Sequence, residues 1–153
     1  MNVGRFWIRV ALLFLAVALL SATLWPLPVV GTSPGWSFSG DVYQGAPPDM
    51  STPFRAVEVT LYGSNDPGVW GTLLDQTLTN TSGAFSLSTE AQREYYHIVE
   101  TQPSGYYSTG AQAGTGGTKV DSDWIRYKTP SQGSYAGHRS WTDQYLSANR
   151  SEA

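Results

Sequence analysis

The sequence predicts an all-β domain, an immunoglobulin-like sandwich of about seven strands, set behind an apolar N-terminal segment. Three observations predict it. Short runs of alternating apolar and polar residues recur along the chain, separated by turn chemistry roughly every ten residues. No long amphipathic pattern lies between them, which excludes βαβ crossovers. The composition is that of strands and turns: six Trp, nine Tyr and sixteen Gly in 153 residues, against only 14% charged residues.

Taken in order, Trp36–Tyr43 alternates in part and reads as the first strand. Gln44–Pro53 is a Pro/Gly/Asp loop. Ala56–Gly63 alternates cleanly, placing Val57, Val59 and Leu61 on one face and Glu58, Thr60 and Tyr62 on the other, the mark of a strand with one dry face. Ser-Asn-Asp-Pro-Gly at 64–68 is a turn, and Trp70–Thr79 is the next strand. A turn at Asn80–Gly83 leads into Ala84–Ser88. Thr89–Glu94 has helix-like composition, enough for a single turn. Tyr95–Thr101 is the clearest strand of the second half, with Tyr96, Ile98 and Glu100 on one face and Tyr95, His97, Val99 and Thr101 on the other. Pro103–Gly105 turns the chain into Tyr106 and Tyr107. Ala111–Gly117 reads as a small-residue, flexible stretch. Val120 with Trp124–Tyr127 forms a further strand region, Thr129–Gly137 a loop, and Arg139–Tyr145 the last strand. The domain thus spans 36–146, followed by a polar tail at 147–153. No internal repeat is visible.

The leader occupies residues 1–30. Arg5 and Arg9 precede an unbroken apolar run from Val10 to Leu20, then Ser21, Ala22 and Thr23: a positive, an apolar and a small-residue region in the order of a signal peptide. The absence of charge from Val10 to Val30 also fits an uncleaved signal anchor, although Pro26 and Pro28 shorten the helical part. Both readings export the rest of the chain, so the domain is expected to be secreted or held at the outer face of the cell membrane. After Val30 the chain carries seven basic and twelve acidic side chains, a net charge of −5. That excludes nucleic acid as a partner, which would demand basic patches. There is no cysteine, hence no disulfide and no thiolate-held metal.

Three segments carry a family resemblance. Val57-Glu-Val-Thr-Leu-Tyr62 followed by Thr79-Asn-Thr-Ser-Gly-Ala-Phe-Ser86 resembles a "V-x-V-x-L" strand with its "T-(D/N)-x-x-G-x-(Y/F)" turn. Tyr96-His-Ile-Val-Glu-Thr-Gln-Pro-Ser-Gly-Tyr106 resembles "Y-x-(V/I)-x-E-x-x-P-x-G-Y". Ile125–Tyr127, Gly133–Gly137 and Trp141–Asp143 resemble the closing segment. In order and spacing they resemble the B-type repeat domains of serine-aspartate-repeat surface proteins (SdrD B-like) and the related collagen-adhesin B-type domains. The resemblance implies a prealbumin-like sandwich in a bacterial surface protein, sometimes with structural calcium or an internal Lys–Asn isopeptide bond. Two departures bear on those extras. The segment where the calcium loop would fall, Gln44–Arg55, holds Asp49 as its only carboxylate, too few for a hard cation. Glu100 stands where the family's acid stands, but the first strand has no lysine and Arg139–Tyr145 no asparagine. Neither calcium in that loop nor an isopeptide bond is expected.

The remaining candidates are few. His97 and His138, the only histidines, make a poor zinc pair without a third ligand, and His97 reads as a half-exposed strand residue. No G-x-S-x-G elbow accompanies the many serines. Asp121 and Asp123 would share one side of an extended chain; they read as solvated loop carboxylates, with cation binding as the alternative. Asn80-Thr-Ser82 and Asn149-Arg-Ser151 match the glycosylation acceptor pattern. The aromatic candidates to face a ligand are Trp70, Trp124, Trp141 and Tyr107. The sequence therefore leads to a non-enzymatic surface module with a structural or adhesive role, without cofactor, whose partner is a surface protein or a glycan. A carbohydrate-binding module is the second reading and a secreted hydrolase a remote third.

Overall fold

The computed structural model describes Gly35–Lys128 and Pro130–Gln144. The leader at 1–30, Tyr145 and the tail at 147–153 lie outside the described residues, so the export and anchor readings remain expectations. The described chain is all β, in nine strands: β1 Trp36–Gln44, β2 Glu58–Ser64, β3 Thr72–Leu78, β4 Ala84–Thr89, β5 Tyr95–Thr101, β6 Tyr106–Gln112, β7 Thr118–Lys119, β8 Trp124–Lys128 and β9 Gly133–Gln144. They form two sheets, one of four strands in the order β4-β1-β9-β6 and one of five in the order β3-β2-β5-β8-β7. Pairing is antiparallel except between β1 and β9, where the first and last strands run parallel.

The core lies between the sheets. Val57, Val59 and Leu61 are buried from the face the alternation assigned them, and Tyr96, Ile98, Ile125 and Tyr127 join them from β5 and β8. Trp36, Phe38 and Val42 of β1 and Phe85 and Leu87 of β4 close the core from the four-stranded sheet. Phe38 is its centre: its ring lies 5.5 Å from Tyr96, 5.3 Å from Tyr127 and 5.5 Å from Tyr135.

Four expectations are corrected. There are nine strands, because the two-residue β7 adds an edge and the β6 region extends as a full strand. The stretch from Ala111 was expected to be flexible, yet Ala111 and Gln112 pair with Ser140 and Arg139. The segment 129–137 was expected to be a loop, yet β9 starts at Gly133 and pairs with β1 from Trp36 onward. Thr89–Glu94 forms no helical turn. The two missed strand halves share a cause. Both are rich in Gly, Ser, Thr and Ala, which carry little periodic signal, and in β6 a close neighbour accounts for one of the small residues. At Gly110 an added Cβ would lie 2.6 Å from Pro47 Cγ.

Gly40 marks the other close approach. The β1–β9 register shifts between Phe38 and Gly40, and a Cβ at Gly40 would lie 2.2 Å from the His138 carbonyl oxygen. Backbone cannot yield as a side-chain tip can. Gly40→Ala is expected to destabilise the domain by about 2 kcal/mol, read as a lower urea midpoint at unchanged m-value. A wild-type midpoint would show that the two strands separate freely there.

Candidate functional site

The loops after β1 and β2 fold back over the outer faces of the two sheets. On the four-stranded sheet, the β1–β2 loop covers Trp141. The indole is 2% exposed, its Nε1 donates to the Asp49 carbonyl, and Tyr43 lies 6.1 Å away. Thr109 Oγ1 donates to the Gly45 carbonyl and ties the loop to β6. Trp141 is therefore a packing residue and not a ligand-facing one. The Asp49 carboxylate caps its own loop by accepting from the Ser51 N–H at 2.8 Å. Tyr107, 38% exposed on β6, lies on this same sheet.

The five-stranded sheet carries the denser constellation. Strand register places Tyr62, His97 and Arg126 side by side across β2, β5 and β8. The β2–β3 loop brings Trp70 onto them. Trp70 stacks on Tyr62 at 5.3 Å and 25°, and meets Trp124 edge-on at 6.0 Å and 83°. Trp124 leans on His97 at 5.4 Å, and His97 stacks with Tyr95 at 6.4 Å. Arg126 fastens the loop by donating from Nη1 to the Pro67 carbonyl at 2.8 Å. Of the four aromatic candidates, the fold thus brings Trp70 and Trp124 together and leaves Trp141 and Tyr107 on the opposite sheet.

His97 is fully buried, which corrects its reading as half-exposed. Its strand alternates as expected, but the outward side is covered by Trp124 and the β2–β3 loop, so β5 is buried on both faces through Glu100. His97 Nδ1 accepts from Trp124 Nε1 at 3.0 Å. In the neutral ring the proton therefore sits on Nε2, which has no partner among the described residues. Burial, reinforced by the Arg126 charge, lowers its pKa to about 4. Trp70→Ala is expected to reopen this site to water. The His97 pKa should then rise toward its ordinary 6.5, with a stability loss of about 1–2 kcal/mol. NMR titration of the imidazole carbon-bound protons reads it, and an unmoved pKa would mean that Trp70 does not seal the ring.

The interior holds the second polar group. Glu100 points between the sheets, 3% exposed, and neither carboxyl oxygen has a hydrogen-bond partner of acceptable geometry among the described residues. Burial raises its pKa to about 7; the nearby Ser140 hydroxyl opposes the shift, and the Asp123 charge adds to it. At this level β1 and β9 present the register pair Val42 and Ser140. His138, 1% exposed, takes the Gly114 N–H on Nδ1 at 3.5 Å and meets Tyr127 Oη through Nε2 at 3.3 Å. Burial lowers its pKa to about 4.

Asp121 and Asp123 do not lie on an extended chain; residues 121–123 bend. Asp121 Oδ1 accepts from the Ser122 N–H, and Asp123 Oδ2 accepts from Gln102 Nε2 at 3.4 Å. Among the described residues no three His, Cys, Asp or Glu side chains are placed to hold a metal ion together. The alternation assigned Tyr62 and Tyr95 to the outer faces of their strands, but sequence reasoning named neither of them, nor Arg126, as a site residue. The available signal was the alternation Trp124-x-Arg126-x-Lys128, which sends all three outward wherever Ile125 and Tyr127 face the core.

No protein-family model matches the sequence, and no curated protein matches it. Solved structures do superimpose on it. The shaft pilin SpaA of Lactobacillus rhamnosus GG does so with a TM-score of 0.49 at 13% identity, over 73% of this chain and 50% of the pilin. The TIE protein of Bacillus anthracis gives 0.45 at 15% identity, over 71% of this chain and 17% of that one. A 9R-lipoxygenase from Cyanothece gives 0.42 at 10% identity, over 84% of this chain and 19% of the enzyme. This chain therefore matches half or less of the length of each.

Proposed function

We propose that the chain is an extracellular, non-enzymatic β-sandwich that serves as a structural or adhesive module at the cell surface. One observation carries the non-enzymatic part. The three groups best suited to acid–base or nucleophilic chemistry, His97, His138 and Glu100, are 0%, 1% and 3% exposed. Each is enclosed in packing: His97 under the outer loop, His138 against Tyr127, and Glu100 between the sheets. General catalysis needs a group within reach of a substrate, and none of these is. The leader supports export, and the motif order along the body supports kinship with surface-protein repeats.

The experiment is a paired one. The purified protein is assayed against ester, peptide and glycoside substrates, and cells lacking it are compared with parental cells for attachment to surfaces and matrix. The expected result is no turnover and an attachment defect restored by the intact chain. Turnover abolished by His97→Gln or His138→Gln would overturn the reading.

A further inference from the structure

We infer that the outward strip of β8, formed by Trp124, Arg126 and Lys128, binds an anionic polysaccharide bearing carboxylate sugars. The inference rests on the extracellular reading above and names a ligand class for it. Three features of the strip carry it.

The first is presentation. Ile125 and Tyr127, 2% and 1% exposed, anchor β8 in the core, so Trp124, Arg126 and Lys128 project together from the opposite face. Only the two-residue β7 lies beyond them, with Thr118 opposite Arg126. The second is concentrated positive charge. The chain beyond the leader is net negative, yet β8 sets Arg126 and Lys128 two residues apart on one face. Arg126 spends Nη1 on the Pro67 carbonyl, and both cations lie against the Tyr95 ring, at 5.8 and 5.9 Å. The neighbouring carboxylate, Asp66, is engaged in its own loop, accepting from the Gly68 N–H at 2.8 Å. A planar guanidinium with remaining N–H donors suits a carboxylate, and the two cations, two residues apart, are spaced by about 6.8 Å along the strand.

The third is the aromatic corner. Trp124 and Trp70 meet nearly at right angles, and Trp70 is 41% exposed. Tyr62 stacks on Trp70; the exposed remainder of the Trp70 ring offers apolar surface to the C–H face of a pyranose, while the adjoining cations take the carboxylate it carries. A nucleic acid does not fit this strip, because its charge density of about one negative charge per 1.7 Å would meet a domain that is itself acidic.

The test uses the intact chain and follows tryptophan fluorescence during titration with oligogalacturonate, with a neutral cello-oligosaccharide of equal length and with polyphosphate as comparators. A saturable change with the uronate alone is expected. It should weaken about tenfold on raising salt from about 0.05 to about 0.5 M, where exposed charges are screened within a few ångströms. Lys128→Glu, at an exposed position that leaves the core intact, should weaken it at least as much, and Arg126→Gln should do the same. No saturable response, an equal response to the neutral sugar or to polyphosphate, or full binding by Lys128→Glu would each overturn the inference. Because binding is measured in solution, its failure leaves the surface-module reading standing, and mislocalisation would leave the binding result standing.

Discussion

Glu100→Gln is expected to remove a loss of stability that the wild-type domain suffers between about pH 4.5 and pH 7. Glu100 titrates near 7 in the folded state and near 4.5 when exposed, because burial penalises its anion by more than the Ser140 hydroxyl relieves. An acid whose folded pKa is raised binds its proton more tightly when folded. Stability is therefore full below 4.5, declines as pH rises through the window, and stays reduced above 7. A shift of that size corresponds to about 3 kcal/mol. His97 and His138 act in the opposite sense. Their folded pKa values, about 4, lie below the ordinary 6.5, so their stabilising share is present above 6.5 and is lost as pH falls toward 4. The two histidines outweigh the single acid below 6.5, and above it the acid acts alone. The wild-type stability maximum should therefore fall near pH 6.5. In the Gln variant stability should climb more steeply from 4.5 and then level off. Urea titrations at intervals of pH measure this. A wild-type-to-variant difference constant from pH 4.5 to 8 would mean that Glu100 is not buried as an acid.

Phe38→Ala should cost more than any other single truncation in the core, about 3–5 kcal/mol. Phe38 is fully buried and is the β1 residue that reaches across to both β5 and β8, through Tyr96 and Tyr127, while also stacking on Tyr135 of its neighbour β9. Tyr96 and Tyr127 are themselves held. Tyr96 Oη donates to the Ala91 carbonyl, and Tyr127 Oη meets His138, so the rings cannot slide inward without breaking those contacts. A cavity would persist. Against a total stability of about 5–15 kcal/mol, the variant should lose a large share of its urea midpoint. Phe38→Leu should recover most of it, remaining within about 1.5 kcal/mol of wild type. A loss below about 1 kcal/mol for the alanine variant would show that the two sheets are not joined through this ring.

What could be read from the sequence was governed by periodicity. β2 announced itself through Val57, Val59 and Leu61, and all three are buried. β5 was located correctly, but alternation implied a wet face. The loop that covers that face, with Trp70 arriving from beyond a Ser-Asn-Asp-Pro-Gly turn, has no periodic signature, so the burial of His97 was not legible. The same is true of Trp141 under the β1–β2 loop. An isolated tryptophan on a strand looks alike whether it faces a ligand or the underside of a loop. β6 and the first half of β9 escaped because their small residues resemble a linker; in β6 the close approach of Pro47 to Gly110 selects one of them. Glu100 was singled out through a motif, while its burial between the sheets appeared only in three dimensions. The outer-face strip was readable in principle, since Trp124, Arg126 and Lys128 alternate with two core residues.

The central claim is that this sandwich is displayed outside the cell, and the chain carries its own reporter. Lys119 and Lys128 are the only lysines, and both are exposed. A membrane-impermeant amine reagent applied to intact cells, followed by peptide mass spectrometry, is predicted to label both, to the same extent as in lysed cells. Labelling of these two lysines only after lysis would contradict the account.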